Sequence, residues 1–160
     1  MAQISASYHV AMARALPGQV SDTSAYNIDG ACVLDGDAGS TIYVGVGVQH
    51  GGVISASGEK LIKAMAASGN AYGVAIRSNF QTTSKDGRMV YEAGSGINVM
   101  TKGRVWMLSV ESKAPAFKIP IKLNDSGQVD LTSGLIETTW IATGDFTEFQ
   151  GLKLVEVQLV

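Results

Sequence analysis

RVWMLSV (Arg104–Val110) and LKLVEVQLV (Leu152–Val160) are the stretches on which the fold turns. Each is a short apolar run rich in β-branched residues or carrying an aromatic one, which is the texture of a strand packed between neighbours. The same texture repeats outward from them. TIYVGVGV (Thr41–Val48), YGVAIRS (Tyr72–Ser78), FKIPIKL (Phe117–Leu123) and TTWIAT (Thr138–Thr143) read as strands, with IDGACVL (Ile28–Leu34), MVYEA (Met89–Ala93) and INVMT (Ile97–Thr101) as weaker additions. Asp35-Gly36, Asp86-Gly87, Lys102-Gly103 and Ser126-Gly127 fall between runs and supply turn chemistry, because glycine reaches positive φ at little steric cost. Strands at nearly regular spacing predict an all-β fold, an antiparallel sandwich or barrel.

Two segments fit this pattern less well. In EKLIKAMAAS (Glu59–Ser68), Leu61, Ile62 and Met65 would share a helical face, while the same residues also alternate as a strand; the strand is preferred. Ala2–Ala15 is small and apolar with Arg14 its one charge, and Pro17-Gly18 then breaks the chain. A charge-poor terminus ahead of a β body is expected to be an arm ordered by a neighbour, which divides the chain into an arm, residues 1–20, and a single body domain, residues 21–160.

The chain has 160 residues and 16.7 kDa, room for one core. Its 26 charged residues compare with about 40 in an average chain of this length, and its 19 glycines exceed the usual share of about 7%. Many apolar residues with few charges exclude disorder and point to a covered outer surface. Charge is also blocked along the chain: residues 1–58 hold one basic and four acidic groups, 59–122 ten and four, 123–160 one and six. If those blocks reach the surface as poles, they favour complementary contact between copies or with an acidic partner.

Most chemistry is missing. Cys32 is the lone cysteine, so neither a disulfide framework nor a thiolate cluster can form. The amino terminus lacks a signal-peptide pattern, and the charge-free stretch 38–58 is interrupted by glycines, Gln49 and His50, so no membrane segment is expected. His9 and His50 are the two histidines; His50 could in principle meet Cys32 or a serine across the sheet, but no G-x-S-x-G elbow or cysteine-protease signature supports either dyad. Gly45, Gly47 and Gly51 miss the dinucleotide fingerprint by one residue and mark instead a bulge or a close backbone approach, as where another chain overlies the strand. Asp29, Asp35 and Asp37 are the best calcium candidates, yet the twelve-residue loop with its terminal Glu is absent, so they are expected to form a polar hairpin tip. Arg77, Lys85, Arg88, Lys102 and Arg104 make the middle block basic, but a net charge of −2 and no interleaved aromatics argue against nucleic acid. Trp106 and Trp140 sit mid-strand and are expected in the core. No catalytic residue, cofactor or metal is expected.

From Tyr72 onward the segments YGVAIRSNF, MVYEAGSGINVMTKGRVWMLSVES and WIATGDFTEFQGLKLVEVQLV follow one another in an order that resembles the structural cement proteins of tailed bacteriophage capsids. Upstream, AMARALPGQVSDTSAYNIDGACVL is similar to that family's amino-terminal "PG-x-x-x-D" pattern, here Pro17-Gly18 and Asp22. The resemblance implies a jelly-roll-like antiparallel β-sandwich without enzymatic activity. It further implies a decoration protein on the capsid exterior, made in the bacterial host cytoplasm and bound in many copies to the major capsid protein, with self-association as a dimer or trimer. Neither nucleic acid nor membrane is an expected partner. Tyr8, Val10, Met12, Arg14 and Leu16 in the arm, and Tyr26 just beyond it, are the candidate contacts, being apolar or hydrogen-bonding groups in a segment that cannot bury itself. The alternative expectation is a ligand- or carbohydrate-binding β-sandwich module of the particle.

Overall fold

The computed structural model describes residues 13–36, 41–54, 58–79 and 82–160. Those residues are all-β, as expected. The strands are β1 (Val20–Leu34), β2 (Thr41–Tyr43), β3 (Gly47–Ile54), β4 (Lys60–Ala64), β5 (Ala71–Ala75), β6 (Thr82–Thr83), β7 (Met89–Glu92), β8 (Gly96–Ser109), β9 (Pro120–Leu123), β10 (Ile136–Phe149) and β11 (Leu152–Leu159).

The expected antiparallel jelly-roll sandwich gives way to a closed ring. β1 pairs β4, β4 pairs β3, β3 pairs β5, β5 pairs β8, and β8 pairs back to β1. The β1–β4 seam is parallel, which also corrects the all-antiparallel expectation. Sandwich and barrel share the same period of two, so local patterning does not separate them; closure comes from β1 and β8, 15 and 14 residues long, which bend enough to pair on two sides. The parallel seam has three register pairs, Cys32 with Lys60 through Leu34 with Ile62. Two ion pairs lie along it, Lys60 on Asp29 and Lys63 on Asp35 at 3.2 Å. Beyond β8 the sheet continues through β11 and β10 to β9. Val129 then bridges Leu123 of β9 and Ser109 of β8, closing a second, smaller circuit on the same strand. A separate three-stranded sheet is ordered β2-β7-β6.

β8 therefore lies between two cores. One gathers side chains from all five ring strands, among them Cys32, Leu34, Val48, Ile62, Ala75, Ile97 and Val99, and includes Trp106 and Leu108. The other holds Met100, Val105 and Met107 with Ile121, Leu123, Trp140, Val155 and Val157. Both tryptophans are buried, as expected. Val99 and Trp106 are seven residues apart yet face the same core, so the alternation of β8 must slip once between them. It slips at Lys102-Gly103, where the register with β1 steps from Met100 to Lys102 against adjacent residues Ile28 and Asn27. Gly103 stands at φ +115 there. The dipeptide expected to be a hairpin turn is thus a bulge within one continuous strand that fuses the runs 97–101 and 104–110.

Other local expectations divide by cause. EKLIKA is a strand, β4, because its partners β1 and β3 flank it and bury Ile62 completely. TIYVGVGV is broken into β2 and β3 by a turn at Val44–Val46, with Gly45 at φ +84. A Cβ there would come within 2.8 Å of the Gly18 nitrogen. The close approach expected at these glycines is real, but the overlying chain is the protein's own. Asp86-Gly87 and Ser126-Gly127 are turns, with both glycines at positive φ. LKLVEVQLV pairs within the molecule on both edges, to β8 and β10, so it leaves no open edge there.

Replacing Gly103 by Ala puts a Cβ 2.8 Å from the Tyr26 Cβ in a conformation L residues rarely adopt. The expected loss is about 1–3 kcal/mol, read as a lower urea midpoint. Trp106→Ala is expected to cost about 3–5 kcal/mol by the same measurement, and an unchanged midpoint would place that ring outside the core.

Candidate docking surface

The chain is tied to the body before β1 begins. Ala15 is fully buried. The Gly18 N–H donates to the Trp106 carbonyl at 2.8 Å, and the Trp106 N–H donates to the Gln19 carbonyl at 3.0 Å, extending the β1–β8 ladder past Val20. Arg14 donates to Asp145 Oδ1 at 2.8 Å, and its guanidinium carbon lies 5.8 Å from the centre of the Trp106 ring. Asp145 is presented by an irregularity in β10, where Ala142 pairs Val157 and Phe146 pairs Val155, leaving three residues of β10 against one of β11. The root of the amino-terminal segment is thereby fixed at one point of β10.

Of the candidate contacts, Arg14 and Leu16 meet at this root, Arg14 exposed and Leu16 half-buried with Phe149 and Leu152 lining the same cleft. Tyr26 shares none of these neighbours. It stands 48% exposed on the stretch of β1 that loops away opposite Gly103, where the six residues of β1 from Asp22 to Asn27 span the three of β8 from Arg104 to Lys102. Tyr8, Val10 and Met12 lie outside the described residues.

The sequence reading missed one exposed apolar strip. FKIPIKL enters the sheet only at Pro120, leaving Phe117 68% exposed and Ile119 partly so, while Ile121 and Leu123 are fully buried. Proline has no N–H for a ladder, and Pro120 inside the run was the available signal that its first half is not a central strand. Ala142 holds this strip to β10, accepting from the Lys118 N–H at 2.8 Å and donating to the Ile119 carbonyl at 2.9 Å. A Cβ built on Gly144 would sit 3.8 Å from the Phe117 Cβ. The irregularity that receives Arg14 thus also abuts the strip. Leu135, immediately before β10, is 81% exposed.

The groups weighed as chemistry are engaged structurally. Cys32 is buried and desolvation pushes its thiol up to about 11, the opposite of an activated nucleophile. His50 is exposed, accepts from the Gly52 N–H at 2.9 Å through Nδ1 and meets the Tyr72 ring edge-on at 5.3 Å between centroids. Asp29 takes Lys60 and the Tyr72 hydroxyl, the latter at 2.6 Å, and Asp35 takes Lys63. The hydrogen bond to Asp29 raises the Lys60 pKa, so the ammonium stays charged. Asp37 lies outside the described residues, and among those described no three His, Cys, Asp or Glu side chains are grouped to hold a metal.

All four ion pairs of the described residues join different charge blocks of the sequence: Arg14–Asp145, Lys60–Asp29, Lys63–Asp35 and Lys122–Glu137. Part of the block asymmetry is thereby matched within the molecule, because strands from the three blocks are neighbours. The outer surface carries exposed apolar area at Phe117, Ile119 and Leu135.

The chain belongs to the structural cement protein family (E217 gp24/Pam3 gp6), whose model matches residues 4–160. Its fold is that of a chain in the capsid of Myoviridae Phage XM1, with a TM-score of 0.67 at 16% identity, covering 95% of this chain and 94% of that one. No curated protein matches.

The burial of Cys32 predicts negligible labelling by an aromatic disulfide reagent at pH 8 in the native state and stoichiometric labelling in denaturant. Rapid native labelling would mean that the ring opens at β1.

Proposed function

We propose that this protein is a cement of a phage capsid, lying on its outer surface and clamping neighbouring major capsid protein subunits. Family membership over residues 4–160 is the observation that carries this reading. The geometry supports it: an uncharged terminal segment is anchored at Arg14 and Ala15 to a rigid two-core body, so force on the segment reaches the β8 ladder through Gly18 and Trp106. Residues 1–20 act as the arm, with its described root already packed on the body. Tyr8, Val10, Met12, Arg14 and Leu16 of the arm and Tyr26 just beyond it form the contact set, and the protein acts in the virion as a dimer or trimer after synthesis in the host cytoplasm.

The mechanism is mechanical. Packed DNA pushes shell subunits apart, and a clamp burying apolar area on two of them must expose that area before they separate. At about 25 cal/mol per Å² the gross gain at one contact is large, association costs remove much of it, and repetition around the shell restores the total. Rigidity of the body matters because a soft body would stretch while its contacts stayed bound.

Deleting Met1–Met12 spares the buried Ala15 and the Arg14–Asp145 pair. The truncated protein is expected to keep its circular dichroism and urea midpoint while losing co-sedimentation with capsids stripped of the cement. Full binding by the truncated protein would remove the arm from the mechanism.

A further inference from the structure

Between the arm root and the β6–β7 hairpin runs a cleft of about 340 Å³, walled by Leu16, Met89, Phe149 and Leu152, all half-buried. A second cleft of about 290 Å³ shares Arg77 and Met89 with it, so the two form one groove passing over Arg77. The Arg77 backbone is fixed, its N–H donating to the Gly18 carbonyl at 2.9 Å. Its side chain is half-buried, yet among the described residues no carboxylate lies within ion-pair distance of it. Arg88, on the same groove, is different: its guanidinium stacks 3.7 Å from the Tyr43 ring centre. Asp86 is taken by Ser84, by the Tyr43 hydroxyl at 3.2 Å and by the Arg88 N–H at 3.3 Å.

A partly desolvated guanidinium without a carboxylate, set in an apolar trough, is complementary to one ligand chemistry: an anionic group flanked by apolar side chains. We infer that this groove seats an extended acidic, apolar-flanked peptide segment of the capsid shell protein, with Arg77 as its charge partner. The inference rests on the capsid reading above and names the surface through which the body, as distinct from the arm, engages the shell. A peptide fits better than a phosphate strand. A strand of phosphates would bring a charge at every residue to a trough that carries two arginines, the Asp86 carboxylate and largely apolar walls, whereas a peptide brings a single carboxylate between apolar side chains. Arg77 is also the right residue type, since its planar fork meets a carboxylate through two parallel hydrogen bonds.

The test uses full-length protein and capsids stripped of cement, comparing wild type, Arg77→Glu and, as a control outside the groove, Lys113→Glu. Arg77→Glu is expected to fold with an unchanged urea midpoint, because Arg77 has no carboxylate partner to lose, and to bind capsids at least tenfold more weakly; Lys113→Glu should stay within twofold. Wild-type affinity should fall with added salt, and that dependence should shrink in Arg77→Glu. Equal binding by Arg77→Glu overturns the inference and leaves the capsid reading intact, since wild-type sedimentation tests that separately. A wild type that stays in the supernatant removes both. Should Arg77→Glu fail to fold, Met89→p-benzoylphenylalanine gives an independent readout, an ultraviolet-induced adduct to an acidic peptide of the shell protein. An adduct to a second copy, a halved mass of Arg77→Glu by light scattering, or wild-type binding to a twenty-nucleotide thymidine strand that Arg77→Glu loses would each assign the groove to another occupant and overturn the proposal.

Discussion

Strand β8 has to serve two cores at once, and the structure is arranged around how it does so. Its first half sends Ile97 and Val99 into the ring core and its second half sends Trp106 and Leu108 into that same core. Strict alternation over the seven-residue step from Val99 to Trp106 would send the second pair to the wrong face. The added residue at Lys102-Gly103 restores the phase, and β1 accommodates it by looping outward from Asp22 to Asn27. Had the phase not changed, Trp106 would face away from its present core and Val105 and Met107 would leave the second one. Because a one-residue slip moves a whole half-strand to the other face, this site is constrained more tightly than any single contact in the core.

From that constraint follows how the terminal segment is held. Trp106, once turned into the ring core, exchanges hydrogen bonds with Gly18 and Gln19 and offers its ring to Arg14. The β10 irregularity supplies Asp145 to the same arginine and places the Phe117 strip alongside. Exposed ion pairs contribute little individually, so Arg14–Asp145 is better understood as fixing a direction than as adding stability. A root fixed at one point of β10 has less conformational freedom to lose in any contact it makes.

The seam that closes the ring is the other economy of the fold. Three register pairs are a short ladder, and Asp29–Lys60 and Asp35–Lys63 add charge-assisted contacts along it, drawn from two different charge blocks of the chain. Residues that resembled a cation site in the linear sequence thus serve as the clasp of the barrel. Arg77 is the contrast, a half-buried cation for which the described fold supplies no carboxylate.

The sequence by itself determined the all-β class, the stretches of chain that contain most strands though not their bounds, the turns at Asp86-Gly87 and Ser126-Gly127, the burial of both tryptophans and, through the serial order of its segments, the family. Apart from the family, which rests on the order of segments along most of the chain, those features are local or repeat with a period of two, and each is settled by residues within a few positions of one another. Tertiary structure alone decided that the sheet closes on itself, that Lys102-Gly103 is a bulge and not a turn, that Phe117 is exposed, and that Arg14 finds Asp145. Each depends on register between strands far apart in the chain: the partner of β1 across its seam is β4, and Asp145 lies 131 residues from Arg14. A pattern of alternating side chains says that a strand has a buried face; only the neighbours it meets in three dimensions decide which face, and for how many residues.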